Sequence, residues 1–207
     1  MIKLLGRTSS INVRKVLWTL DELDVSIERE DWGIGFRSTT ALEFLKLNPN
    51  GLVPVYIEGD FVLWESNTIC RYLVSKYNRY DLLPQEIQNR AIIEKWMDWS
   101  ATNLNSAWRY SFMALVRKAP EYDDPSEIAS SISSWNRHME LLDKQLTRTQ
   151  AYVVGEIFTL ADIVVGLCIN RWIMSPIGHA DCPAVLSFYE KLKQREGFLK
   201  NGAGHEP

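Results

Sequence analysis

The sequence predicts an α+β domain of order βαβαββα followed by an all-helical domain. Up to Tyr77, short apolar runs alternate with segments of helical periodicity; beyond Leu83-Pro84 only helical periodicity is found, as far as Arg195. The composition, 46% hydrophobic and 24% charged, is that of an ordinary globular protein, and 207 residues suffice for one large core or two small ones. The change of character divides the chain into a first domain over 1–78, a linker over 79–85 and a helical domain over 86–207.

Each element follows from its local pattern. Ile2-Lys3-Leu4-Leu5 reads as a short strand ending at Gly6. Val13, Val16, Leu17, Leu20 and Leu23 mark one face of an amphipathic helix, with Ser9 or Ser10 as its N-cap. Val25 to Asp31 alternates like a strand, and Leu42, Phe44, Leu45 and Leu47 suggest a short irregular helix before Asn48-Pro49-Asn50-Gly51. Val53 to Ile57 and Phe61 to Trp64, around Glu58-Gly59-Asp60, read as a hairpin. A helix follows from Ser66, with Ile69, Tyr72, Leu73 and Tyr77 on its apolar face. In the second half, one long helix is expected from Ile93 to about Val116, a second from Ile128 to Leu146, and a last one from Pro183 to Leu192. Between them Thr159-Leu160-Ala161-Asp162 is a capping signal before the apolar run Ile163 to Ile169.

Several function classes are disfavoured. The net charge of −3 lacks the basic surplus a nucleic-acid binder uses against phosphates. No apolar run approaches the ~18–20 residues that span a bilayer, and Met1 to Gly6 has no signal-peptide apolar region. Cys70, Cys168 and Cys182 are an odd, widely spaced set without a CxxC, which speaks against a disulfide framework and for a reducing cytoplasm. His138, His179 and His205 stand apart from one another and from metal-ligand partners, so no metal is assigned.

Three short segments carry chemistry. Thr8-Ser9-Ser10-Ile11-Asn12 lies at a strand-to-helix turn, where free N–H groups and a hydroxyl favour a thiolate over a thiol of ordinary pKa ~8.5. Gly51-Leu52-Val53-Pro54 opens a strand with a proline; a cis Val53–Pro54 bond would turn the Val53 main chain toward an extended peptide. Glu65-Ser66 sits at a helix N-terminus, suited to a carboxylate beside an ammonium. Taken singly, these read more simply as an ordinary N-cap, an edge-strand proline and a plain helix cap.

Their order, with a helical half behind them, resembles the glutathione transferase family, and most of all its bacterial nu- and theta-like cytosolic members. Asn48 to Pro54, Glu65 to Leu73 and the capped stretch Thr159 to Asp162 carry the resemblance, as do Asn12 to Val16 and Glu94 to Trp99. It implies a thioredoxin-like first domain and a cis-proline loop in which Val53 pairs with the cysteinyl unit of glutathione. Asn50, Leu52, Val53, Pro54, Glu65 and Ser66 are the implied glutathione-binding set, with Glu65 and Ser66 on the γ-glutamyl head. The thiolate-stabilising residue is Ser10, then Asn12, then Ser9, in that order. The family often has a basic residue where this chain has Leu52; Asn50 and Arg7 are the candidates to replace it. No Cys lies in the turn, so the nucleophile arrives with glutathione, and Cys70 reads as a small buried residue.

The resemblance further implies a second-substrate pocket near Trp108, Arg109, Tyr110 and Met113, an additional part for Asp98 in the glutathione network, and a homodimer. Nucleic acid, membrane and metal are not expected partners. The implied activity is attack of glutathione thiolate on a small hydrophobic electrophile, haloorganic compounds included. Glutathione-dependent disulfide or peroxide reduction is the alternative enzymatic class, and a non-catalytic ligand-binding or interaction protein is the third.

Overall fold

The computed structural model describes residues 2–207. Four strands, β1 (Ile2–Leu5), β2 (Glu28–Glu30), β3 (Val55–Glu58) and β4 (Phe61–Trp64), form one sheet in the order β2-β1-β3-β4. β1 and β2 run parallel, while β3 is antiparallel to both β1 and β4. Helices α1 (Ile11–Glu22), α2 (Leu42–Leu45) and α3 (Ser66–Lys76) complete the first half. The rest is helical: α4 (Ile87–Trp99), α5 (Asn105–Leu115), α6 (Pro125–Thr149), α7 (Leu160–Met174), α8 (Pro183–Leu192) and α9 (Glu196–Asn201). This is the α+β plus all-helical architecture expected from the sequence.

Four local features differ from expectation, each for a physical reason. β2 spans three residues rather than the alternating stretch Val25 to Asp31, because its partner β1 is four residues long and is registered against it from Lys3 to Leu5. The long helix is broken at Ser100–Leu104 by a π-helical turn, which inserts an extra residue per turn and re-aims the side chains beyond it. α6 begins at Pro125, before the apolar stripe, because Asp124 caps it by accepting from the N–H groups of Ser126 and Glu127. Finally, α9 is too short for periodicity to reveal. It docks on α1 through Gly197, where a Cβ would lie 2.4 Å from Trp18 Cδ1, and through the Arg195–Glu22 ion pair at 2.5 Å.

Two helices organise the interior. α7 is buried from Leu160 to Trp172, so it is apolar all round rather than on one face. The carboxylate of Asp162 holds its N-terminus, accepting from the Thr159 N–H at 2.7 Å and hydroxyl at 2.9 Å, and from the Val153 N–H at 2.7 Å. α1 packs against α3 on one side and α7 and α9 on the other. Its burial therefore extends beyond the expected apolar face to Trp18, Thr19, Arg14 and Lys15. One continuous core joins both halves, from Leu4, Val16 and Trp18 to Leu142, Val165 and Leu192.

Candidate active site

The site is built where the first turn of α1 meets the first turn of α3. At the end of β1, Gly6 has φ +146°, and a Cβ there would fall 2.5 Å from Val13 Cγ2 and 3.0 Å from Val53 Cβ. Only glycine allows this turn and this approach of the Val53 loop. Ser10 is the N-cap of α1, its N–H donating to Arg7 O at 3.1 Å and its carbonyl accepting from the Arg14 N–H at 3.0 Å. The Ser10 hydroxyl makes no cap bond, and both Ser9 and Ser10 are half-buried. Asn12 is exposed on the first turn, and its Oδ1 accepts from the Ser66 hydroxyl at 3.3 Å. That bond turns the Asn12 amide donors away from Ser66.

The Val53–Pro54 peptide is cis. The preceding carbonyl, of Leu52, accepts from Asn48 Nδ2 at 2.7 Å, whereas Val53 has no backbone partner among the described residues. Asn50 turns its amide and its N–H to Asn48 Oδ1, at 3.0 Å each, so its side chain serves the loop. Leu52 is exposed, and Arg7 donates to Ile34 O at 3.4 Å.

Glu65 caps α3 with φ 72° and ψ 107°, a left-handed backbone that is uncommon for a non-glycine residue and concentrates at functional positions. Its side chain is exposed, while Ser66 beside it is buried. Arg71, one helical turn on, donates to Asp98 Oδ1 at 2.5 Å and lies 3.3 Å from Glu94 Oε1, tying α3 to α4.

These residues border a cavity of about 360 Å³ between the two halves of the chain. Taking the first turns of α1 and α3 as its rim, Asn12, Glu65 and Ser66 border it there, and Asp98, Ser100 and Trp108 border it from the helical half; Lys15 and Cys168, from the interiors of α1 and α7, make its floor. Ser9, Ser10, Asn50, Leu52, Val53 and Pro54 do not border it. A larger polar groove of about 570 Å³ runs between the C-terminal end of α1 and α9, away from all three segments.

The four residues expected around a second-substrate pocket separate. Trp108 borders the cavity; Arg109, Tyr110 and Met113 do not. Consecutive helical residues are rotated by about 100°, so Trp108 shares its side with Phe112 rather than with Arg109 or Met113. Arg109 is exposed, and Tyr110 packs on Tyr122 and accepts from the Asp124 N–H at 3.3 Å.

Lys15, Cys168 and Ser100 were absent from the sequence-based site. Ser100 enters through the π turn, and the other two through helix packing, which leaves no local signal in the sequence. Burial pushes the Lys15 ammonium below its ordinary pKa and the Cys168 thiol above its own. Cys70 is fully buried, accepts from the Thr19 hydroxyl at 3.2 Å, and is pushed up to about 11 by burial, so it stays a thiol. Among the described residues, no group of three His, Cys, Asp or Glu side chains is placed to hold a metal ion, and no helix is long and apolar enough to cross a membrane.

A mixed four-stranded sheet with a cis-proline loop, joined to a helical domain through a cavity at two helix N-termini, defines a thioredoxin-fold protein with a helical extension. The family model described as "Glutathione S-transferase, N-terminal domain" matches residues 1–75. Glutathione S-transferase GstB of Escherichia coli K12 is 37% identical over 202 residues, covering 97% of each chain. Glutathione S-transferase F10 of Arabidopsis thaliana is 29% identical over 199 residues, covering 92% of this chain and 91% of its own. The glutathione-bound theta class glutathione S-transferase of Xanthomonas axonopodis pv. citri superposes with a TM-score of 0.88 at 32% identity, over 100% of this chain and 99% of that one. The chain belongs to the glutathione S-transferase family and is a transferase.

Proposed function

We propose that the cavity binds glutathione and presents its thiolate to a small electrophile. One observation supports this above the others: Asn12, Glu65 and Ser66, from two helix N-termini far apart in sequence, meet at one rim. In this reading Ser66 and Glu65 take the carboxylate and ammonium of the γ-glutamyl head, and Val53 pairs with the cysteinyl unit. Asn12, its amide donors turned from Ser66, leads Ser10 and Ser9 as the group nearest the sulfur. Leu52 and Pro54 shape the loop, and Asn50 holds it.

The chemistry is displacement or addition: the thiolate attacks an electrophilic carbon, favoured by proximity and by the donors around the sulfur. Residues 1–78 supply the glutathione half, 86–207 the second-substrate half, and a cytoplasmic homodimer belongs to the same reading. Glutathione titration followed by tryptophan fluorescence tests it directly. Glu65→Ala is expected to weaken binding, while Asn12→Ala lowers turnover with little loss of binding. If Asn12→Ala is silent and Ser10→Ala is not, the thiolate role passes to Ser10. Turnover of a mixed disulfide in place of a haloacetate would replace transfer by reduction.

A further inference from the structure

The cavity floor holds positive charge with no ion-pair partner among the described residues. Lys15 is 5% exposed and borders the cavity. One turn earlier on α1, Ile11 and Asn12 border the same cavity. It makes no ion pair or hydrogen bond among the described residues, and the charge of Glu65 at the rim favours its ammonium. Arg171, from α7, is also 5% exposed, and its Nε has no partner. Its guanidinium lies 4.5 Å from the Trp108 ring centre and 4.4 Å from that of Phe112.

Two more cations converge on this place. Arg117 lies 5.2 Å from the same Phe112 ring. Arg14, 6% exposed, gives its Nε to Thr8 O at 2.7 Å and its Nη1 to Glu206 O at 2.9 Å, both main-chain carbonyls. Burial first, and then mutual repulsion with Arg117, lowers the pKa of Arg14 and Arg171, the latter to about 10. The Glu206 carboxylate opposes this only at Arg14. Other cations at domain contacts are paired, Arg71 with Asp98 and Arg195 with Glu22. Arg117 is exposed, and of the four converging cations Lys15 borders the cavity while the arginines do not. Buried charge without an ion-pair partner is costly, so Lys15 and Arg171, backed by Arg14 and Arg117, point to an anion supplied from outside.

We propose that Lys15 at the cavity, with Arg171 behind the Trp108 ring and Arg14 and Arg117 beyond, forms an anion subsite for the second substrate, so that the enzyme takes electrophiles bearing a carboxylate-sized negative group. This rests on the reading of the rim as the glutathione site. The anionic group is held at the floor against the Trp108 face, while the reacting carbon meets the sulfur at the rim. For a haloacid, the C–S bond forms as the C–halogen bond breaks and the halide leaves with the electron pair. The thiol proton goes to solvent and the carboxylate is unchanged.

Iodoacetate and iodoacetamide, an anionic electrophile and a neutral one of the same size, test this in the full-length enzyme. The ratio of their kcat/KM values is expected to exceed the ratio of their rates with free glutathione by about tenfold or more, as one charge-assisted contact supplies. Lys15→Met and Arg171→Met should each lower the iodoacetate rate about tenfold more than the iodoacetamide rate, and Lys15→Arg should restore the preference. Because they remove an unpaired buried charge, both Met variants should also keep or raise the thermal midpoint. In the wild type, acetate should compete with iodoacetate where acetamide does not, a measurement that needs no variant. A wild-type ratio equal to that of free glutathione, or variants that slow both reagents alike, overturns the anion subsite while leaving glutathione transfer standing. Absence of glutathione binding overturns the parent reading and this one with it.

Discussion

The rim and the floor of the cavity are made by different means. The rim residues Asn12, Glu65 and Ser66 sit on the first turns of two helices, positioned by backbone devices: the Gly6 turn, the cis-proline loop and the left-handed Glu65. The floor residues Lys15 and Cys168, with Arg171 behind them, sit in the middle of helices and are placed only by the packing of α1 against α7. Rim chemistry is therefore written in short contiguous segments, and floor chemistry in tertiary contacts. The two should also fail differently when perturbed.

The largest expected effect comes from loosening the floor. Asp162→Ala leaves the buried Val153 and Thr159 N–H groups without their acceptor and frees the start of α7, at a cost of about 3–5 kcal/mol in urea unfolding. Burial pushes the Asp162 carboxyl up to about 6, outweighing the hydrogen bonds it accepts. A carboxyl raised in the folded state contributes stability that is complete below its unfolded pKa of ~3.9 and lost as the pH rises through its folded value. An Asp162→Asn chain lacks that dependence. Its stability deficit against the wild type should narrow between about pH 4 and about pH 7, and a deficit that widens would contradict the assigned direction.

A smaller effect is expected from the scaffold of the rim. Gly6→Ala forces a Cβ against Val13 and Val53 in a backbone conformation that L-residues rarely adopt, costing about 2–3 kcal/mol. Displacing the Val53 loop should weaken glutathione binding more than it lowers stability. Equal loss of both would mean that rim and floor are a single cooperative unit.

The same division explains what the sequence disclosed. Helix caps and turns depend on near neighbours, so the α7 capping signal, the hairpin around Gly59 and the Glu65-Ser66 junction could be read from a few residues each. The resemblance ranks Ser10 above Asn12, whereas the cavity is bordered by Asn12; Ser10 is the extended N-cap and Asn12 stands in the first helical turn, so the two point in different directions. The face Val13, Val16, Leu20 leaves Lys15 to one side, and nothing local reveals that α7 packs on that side too. The π turn at Ser100–Leu104 likewise has no local signature, yet it decides which residues of the following helix face the cavity.

The smallest expected effect separates function from stability at one position. Glu65 holds φ 72° without a glycine, a conformation costing roughly 1–3 kcal/mol that the fold tolerates at the rim. Glu65→Gly relieves this strain but adds chain entropy to the unfolded state, so the net gain in stability should be at most about 1 kcal/mol. The same change removes the carboxylate proposed to meet the γ-glutamyl ammonium, and binding should weaken about tenfold, as for one charge-assisted hydrogen bond. Glu65→Ala removes the carboxylate without relieving the backbone, so it should match the glycine variant in affinity and fall below it in stability. Calorimetric titration with glutathione and thermal unfolding of both variants distinguish the two contributions. A glycine variant that binds as tightly as the wild type would leave the strained backbone of Glu65 without a functional reason.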